Sequence, residues 1–145
     1  MIGCVRLFLP AFVLILIAAP SETLAEELHD APDVVLHCDA ANSPGRVRCE
    51  AEARAPSQGS IAWGDVQIIK VPEFVAVLRG RIGPHEIVNK DAGGVAWPFA
   101  VVAKQRGEGE VVVRVRLLVC EKERCVPREA TARAALRVGV KADAG

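Results

Sequence analysis

Cys120 and Cys125 are the residues whose type and spacing could do chemistry. The chain of 145 residues has five cysteines, and these two are separated only by the charged tetrapeptide EKER. Two such thiols can form a disulfide that opens and closes by thiol–disulfide exchange, provided that one sulfur is accessible and its thiolate is stabilised. The two basic side chains of the tetrapeptide favour a thiolate, whereas the two acidic ones oppose it.

The segment before Cys120 predicts where the sulfurs point. Successive side chains of a strand point to opposite sides, and one face of residues 110–120 is wholly apolar: Val111, Val113, Val115, Leu117 and Val119. Cys120 lies on the other face, with Arg114 and Arg116. The pattern therefore predicts a hairpin whose tip carries the cysteine pair, with Cys120 directed towards solvent. We interpret the arginines of the two strands as a solvated face balanced by glutamates: Arg114, Arg116, Arg133 and Arg137.

Residues 1–25 have the pattern of a secretory signal. Arg6 is a basic start, residues 7–19 are apolar, and Thr23, Leu24 and Ala25 offer small residues for cleavage. Cleavage would remove one of the five cysteines and leave residues 26–145 as a single domain, without a second apolar segment for a membrane. The sequence therefore predicts a periplasmic or secreted monomer, in a compartment where disulfides persist.

Cys38 and Cys49 form the second predicted pair. Four remaining cysteines allow three pairings, but Cys38 and Cys49 fall on the apolar faces of two strands, residues 33–38 and 46–54, joined by the turn NSPG. A bond between them would be buried and would stabilise the fold by about 2–3 kcal/mol in the chain-entropy model. The faces thus favour a structural Cys38–Cys49 bond.

Composition argues against several other functions. Acidic and basic residues balance at 18 each, so no basic excess points to nucleic acid or to an anionic membrane surface. His29, His37 and His85 are dispersed without metal-ligand spacing. No phosphate-binding glycine loop occurs either, and no cofactor or metal site is predicted.

The strand pattern predicts an all-β protein. Seven or eight short strands without a convincing helix indicate an antiparallel β-sandwich of immunoglobulin-like type. Trp63 is predicted to be a core aromatic, and Gly64 to mark a bulge. Pro98 predicts an edge strand or a bulge. The remaining strand candidates are residues 60–71, 74–82, 86–88, 95–103 and 131–140.

The cysteine tip resembles that of a known family, the N-terminal periplasmic domain of the thiol:disulfide interchange protein DsbD, also called the disulfide bond corrector family. The likeness rests on a hydrophobic strand, Cys120, four residues, Cys125, one residue and Pro127. The resemblance implies an immunoglobulin-like fold and an exchanging pair that takes electrons from a thioredoxin-like domain and passes them to periplasmic thiol proteins. This chain departs from the family in having LLV, and no aromatic residue, before the first cysteine. Candidates for an aromatic cap over the disulfide are Phe74, Trp97 and Phe99.

Two alternatives to exchange remain open on the residues alone. Cys120–Cys125 could be a staple worth about 2 kcal/mol that never opens. The protein would then be a non-enzymatic binding module, and an exposed edge strand around residues 95–103 could pair with a strand of its partner.

Overall fold

The computed structural model describes residues 32–56, 58–91 and 93–141. It is an all-β structure, as predicted, and within these ranges only one short 3-10 helix, Pro84–Glu86, interrupts the strands. The nine strands, β1 to β9 in chain order, are Asp33–Cys38, Gly45–Arg54, Gly59–Lys70, Val75–Val77, Arg81–Ile82, Val88–Asp91, Gly94–Ala103, Gly107–Glu121 and Arg124–Val138. The predicted signal segment, residues 1–25, lies outside the described residues. No helix among the residues that are described has the length and apolar character needed to cross a membrane.

The strands form two antiparallel sheets. The first has the order β1-β2-β7-β4, with β6 also pairing with β7, and the second has the order β5-β3-β8-β9. A parallel bridge between Ala41 and Val138 links the end of β1 to the end of β9. The first hairpin, β1-β2, and the last, β8-β9, lie in different sheets.

Both sheets contribute side chains to one hydrophobic core. The predicted alternation is confirmed in β2, where Val47, Cys49, Ala51 and Ala53 are all buried. In β8 the predicted apolar face is buried, although Val112 of the other face is buried as well. In β9, which could also have been a helix, Ala132, Leu136 and Val138 are buried as predicted for a strand. The buried aromatic of the core is Trp97 of β7.

One predicted strand is divided between the sheets. Residues 74–82 were expected to form a single strand, but β4 pairs with β7 of the first sheet and β5 pairs with β3 of the second. The chain crosses between them through Gly80, whose carbonyl accepts a hydrogen bond from the N–H of Ile68. The weak strand expected at residues 86–88 is also displaced, because Pro84–Glu86 is helical and β6 begins only at Val88.

The edge strand expected at residues 95–103 is a central strand. In the structure β7 pairs with β2 on one side and with β4 and β6 on the other. Pro98 is tolerated because β6 pairs only as far as Ala96 and β4 begins pairing only at Val101, so Pro98 lies at a gap in the sheet. Proline has no N–H to donate, and because no strand pairs with β7 on that side at residue 98, no hydrogen bond of the sheet is lost.

Candidate redox site at the hairpin tip

The tip of the β8-β9 hairpin presents the Cys120–Cys125 disulfide. The two strands pair continuously from Gly107 opposite Val138 to Glu121 opposite Arg124, with Cys120 directly opposite Cys125. Lys122 and Glu123 close the turn, and Lys122 has a φ of 53°, since a two-residue hairpin turn requires positive φ at its first central position.

The tip disulfide is open to solvent on one side. The Cα atoms of Cys120 and Cys125 lie 4.0 Å apart, and their sulfurs are bonded. Cys120 is half-buried and Cys125 is exposed. The pair lies on the predicted outer face, and Cys125 is the more exposed of the two residues.

Cys38 and Cys49 form the other disulfide. They too lie directly opposite each other, on β1 and β2, with Cα atoms 4.0 Å apart. Both side chains, however, lie in the core, with exposed fractions of only 8% and 3%. The two bonds therefore differ in access and not in their placement on paired strands. Two formed disulfides are typical of proteins that fold outside the cytoplasm.

The charged tip residues surround the exposed sulfur without fixed partners. Glu121, Lys122, Glu123 and Arg124 are all exposed. None of them joins an ion pair among the described residues. Lys122 and Arg124 are thus free to approach a thiolate formed at the tip and to lower the pKa of its thiol, whereas Glu121 and Glu123 are equally free and act in the opposite direction.

Trp63 lies on the outer face of the sheet that carries the disulfide and not in the core, so the prediction of a core aromatic was wrong. A bulge in β3 is responsible, since Ile61 pairs with Val119 but Trp63 pairs with the next residue, Leu118. One extra residue reverses which face the following side chain takes. Trp63 consequently points outward and is 36% exposed, with the guanidinium of Arg116 5.9 Å from its ring centre.

Trp63, Leu118 and Pro127 form an apolar patch on the disulfide face of the sheet. Leu118 lies opposite both Trp63 on β3 and Pro127 on β9, and it precedes Cys120 by one position on the same face. The patch borders a shallow cleft of about 460 Å³. The hairpin tip therefore carries an exposed sulfur next to an exposed apolar surface.

Asp65 fixes the strands beneath this patch. Its carboxylate is fully buried and accepts hydrogen bonds from Arg116 of β8, with Nε at 2.9 Å from Oδ1, and from Arg81 of β5. The bond from Arg116 lowers the pKa of Asp65 most, burial raises that pKa, and the bond from Arg81 lowers it again, so the net shift is downward. The ionised carboxylate thus joins β5, β3 and β8 into one rigid support.

The inner side of the tip is also open. A groove of about 750 Å³ separates the hairpin from the connection between β2 and β3. Its apolar lining comes from Val119 and Val126, and Pro56 and Gln58 lie across from them. The tip is therefore accessible on both faces of the sheet.

The remaining predicted residues lie elsewhere. His37 and His85 are exposed, and His29 is outside the described residues. None of the three aromatic cap candidates covers the disulfide: Trp97 is in the core, Phe74 packs on Gly107 at the other end of the hairpin, and Phe99 belongs to the first sheet. Trp63 was missed because a strict period of two assigns it to the core. Its signal was Asp65, a charge on what would otherwise be the inward face.

The remaining arginines of the disulfide face are paired as predicted. Arg133 binds Glu110 and Arg137 binds Glu108 between β8 and β9, while Arg114 lies 3.4 Å from Glu129. These exposed pairs contribute little stability individually.

Comparison with known proteins gives no assignment. No protein-family model matches the chain, and no curated protein matches it. Among solved structures, the chain is similar to BslA, described as a bacterial hydrophobin, at 9% sequence identity and a TM-score of 0.39. The similarity covers 74% of this chain and 95% of BslA.

Proposed function

We propose that this chain is a periplasmic or secreted thiol–disulfide exchange protein that works through Cys120 and Cys125. The observation that carries the proposal is the contrast in access between its two disulfides: Cys125 is exposed at a hairpin tip, whereas Cys38 and Cys49 are buried. Exchange requires a sulfur that an attacking thiolate can reach, and among the described residues only the tip pair meets this condition.

From the same exposures we infer an order for the exchange. A thiolate of the partner attacks Sγ of Cys125, the bond between Cys125 and Cys120 breaks, and Cys120 leaves as a thiolate. A second thiolate of the partner then attacks the partner's own sulfur in the mixed disulfide and displaces Cys125 as a thiolate. The partner is oxidised by two electrons, this chain is reduced by two, and both thiolates take protons from water. The same steps reversed pass the two electrons to a disulfide of a second protein, which is reduced to two thiols while Cys120–Cys125 forms again, so no cofactor is required.

The apolar patch supports a protein as the partner. A thioredoxin-like or other periplasmic thiol protein must bring its own cysteine to Cys125. Trp63, on the same face of the sheet but two strands away on β3, offers the kind of large aromatic contact that is enriched at protein interfaces. Asp65 and its two arginines hold this surface in place before binding, which reduces the entropy lost on association.

An immunoglobulin-like topology is part of the same proposal. Immunoglobulin domains have sheets of strand order A-B-E-D and C-F-G, the second extended by C′ in some of them. If β4, which pairs with the end of β7, is set aside as an addition, the orders β1-β2-β7-β6 and β5-β3-β8-β9 match A-B-E-D and C′-C-F-G. The cysteine pair would then lie on the F–G hairpin, in agreement with the resemblance to the DsbD N-terminal domain.

The experiment is a redox titration of the purified mature chain in glutathione buffers, with alkylation and mass spectrometry of each cysteine. We expect Cys120–Cys125 to open near the roughly −200 mV range of working exchange proteins, while Cys38–Cys49 stays closed. In parallel, a Cys120→Ser variant should trap a partner as a mixed disulfide at Cys125, and the matched Cys125→Ser variant should trap much less. If both disulfides resist reduction until the protein unfolds, the exchange proposal is wrong.

The second candidate is a non-enzymatic binding module with two structural disulfides. The exposed apolar patch favours it, because such a surface can bind a partner without sulfur chemistry. Strand β7 does not serve as the binding edge, since it is paired on both sides. A tip disulfide that never opens, together with a partner lost on Trp63→Ala substitution, is the result that this candidate predicts.

A further inference from the structure

A second concave site lies on the opposite sheet, at the gap in the pairing of β7. Between the residues paired with β6 and those paired with β4, the chain leaves a cleft of about 470 Å³. Its walls come from β2, from β7 and from the crossover between β4 and the 3-10 helix. The cleft shares no lining residue with the apolar patch or with the groove under the hairpin tip.

Arginine side chains dominate the charge of this cleft. Arg46 and Arg48 project from the same face of β2, opposite Val102 and Ala100 of β7. Neither forms an ion pair with any residue that the structure describes. The small side chain of Ala100 leaves room for the longer Arg48 to lie over β7. The cleft therefore holds two arginines without a close ion-pair partner, and the nearest acidic residue on their face of β2 is Glu50, whose pKa is lowered chiefly by Lys90 and in small part by Arg48.

The third arginine of the cleft is already neutralised. Arg79 donates two hydrogen bonds to the carboxylate of Glu86, and the backbone N–H of Gly83 donates a third. The hydrogen bonds from Arg79 and then Gly83 lower the pKa of Glu86. Glu86 therefore remains ionised and held by Arg79, and it does not offset Arg46 or Arg48.

The other walls of the cleft are apolar. Leu78 is 53% exposed and supplies an accessible apolar surface at the mouth of the cleft. Ile82, Pro98 and Phe99 complete this wall. A cleft with an apolar wall and a few convergent polar groups is typical of small-molecule sites, and its volume falls within their range of about 300–1,000 Å³.

We propose that this cleft binds an anionic amphiphile, a molecule with one carboxylate or phosphate head and an apolar chain. Arg46 and Arg48 are two residues apart on a strand, so their Cα atoms are about 7 Å apart and both guanidinium groups reach one oxyanion. Arginine suits this head group because its planar donors bind carboxylate and phosphate in a bidentate manner. The apolar chain lies against Leu78 and Phe99 and covers their accessible surface.

Binding of dodecanoate to the mature protein, measured by isothermal titration calorimetry below the micelle concentration, tests the proposal. We expect saturable binding at a single site. Two partial ligands should each bind at least about tenfold more weakly than dodecanoate. Acetate has the head group without the apolar chain, and dodecanol has the chain without the charged head group. Dodecyl phosphate in place of dodecanoate shows which head group the arginines prefer.

Matched variants locate the site. Arg46→Gln/Arg48→Gln should weaken dodecanoate binding about tenfold or more, while Arg133→Gln/Arg137→Gln, on the outer face of the other sheet, should leave it unchanged. Leu78→Glu places a carboxylate at the exposed wall without touching the core, and it should also weaken binding. The proposal is overturned if neither amphiphile saturates, if the two double variants bind alike, or if acetate or dodecanol binds as tightly as dodecanoate.

Discussion

Asp65 is a single buried carboxylate on which three strands depend. Arg81 and Arg116 remain 58% and 41% exposed at the side chain, so solvent reaches the cations while the carboxylate itself is fully enclosed. Replacement of one partner in such a group leaves the others without their hydrogen bonds. The cost of a lost hydrogen bond to a charged group is roughly 1.5–3 kcal/mol.

We expect Asp65→Asn to lower the free energy of unfolding by about that amount, roughly 1.5–3 kcal/mol, at neutral pH. The folded-state pKa of Asp65 lies below its ordinary value of 3.8, so the stabilisation is fully present above that value and is lost as the pH falls through the folded pKa. Urea unfolding of both proteins from pH 7 down to pH 2.5 measures the difference. A difference that stays constant down to the lowest pH would contradict an ionised Asp65 as its source.

Gly64 is required by the ring of Trp97. A Cβ atom at residue 64 would lie 2.6 Å from Cζ2 of Trp97 and 2.9 Å from Cδ2 of Leu117. Both neighbours are themselves packed in the core. The sequence predicted a bulge at Gly64, and β3 does have a bulge nearby, with its extra residue just before Trp63. Gly64 itself is needed because a larger residue would collide with the core.

Gly64→Ala should therefore destabilise the protein by about 1–3 kcal/mol, the usual cost of overpacking a core. Gly80→Ala is the matched control, because no atom lies within 4 Å of its added Cβ. Chemical denaturation of the two variants gives the comparison. Equal denaturation midpoints for the two variants would mean that the core around Trp97 accommodates the added methyl group without loss of stability.

At the scale of the elements, the bulge in β3 decides the character of the disulfide face. It turns Trp63 to the surface and at the same time keeps Asp65 in register with Arg116. The chain has two tryptophans, and the bulge divides them into one exposed and one buried ring.

Iodide quenching of tryptophan fluorescence should detect this division. Trp63 is 36% exposed and Trp97 is fully buried, so we expect part of the emission to be quenched and the Trp63→Phe variant to lose that part. The remaining emission, from Trp97, should lie at shorter wavelength and resist iodide. If iodide still quenches the emission of Trp63→Phe, Trp97 is accessible to solvent, and the assignment of Trp63 as the exposed ring and Trp97 as the buried ring is wrong.

Strands with a strict alternation could be predicted from the sequence, and those that depend on tertiary pairing could not. The apolar faces of β2, β8 and β9 follow directly from a period of two, and with them came both cysteine pairs. A bulge changes that period, and its one signal here was the charge of Asp65 on the face that a strict period would turn inward, so Trp63 was assigned to the wrong side. The division of residues 74–82 and the central position of β7 depend on which strands lie alongside, and this information is not local.

The whole molecule has one core to which both sheets contribute, and its two disulfides stand in different relations to it. Cys38–Cys49 is part of the core and closes a separation of 11 residues, whereas Cys120–Cys125 closes only 5 at the far end of a hairpin. In the chain-entropy model these separations correspond to about 2.8 and 2 kcal/mol. Removal of the first pair also takes two buried side chains from the core, and this loss adds to the entropic term.

We therefore expect Cys38→Ala/Cys49→Ala to lower the free energy of unfolding clearly more than Cys120→Ala/Cys125→Ala, which should cost about 2 kcal/mol or less. Because the core is shared, unfolding in urea should remain a single transition in the tip variant, with far-ultraviolet circular dichroism and Trp97 emission changing together. This is also the condition that exchange at the tip requires, since a protein that cycles between bonded and reduced cysteines must keep its fold in both states. If the tip variant loses as much stability as the core variant, or if its two signals separate, the hairpin tip is a structural staple and not a site free to open.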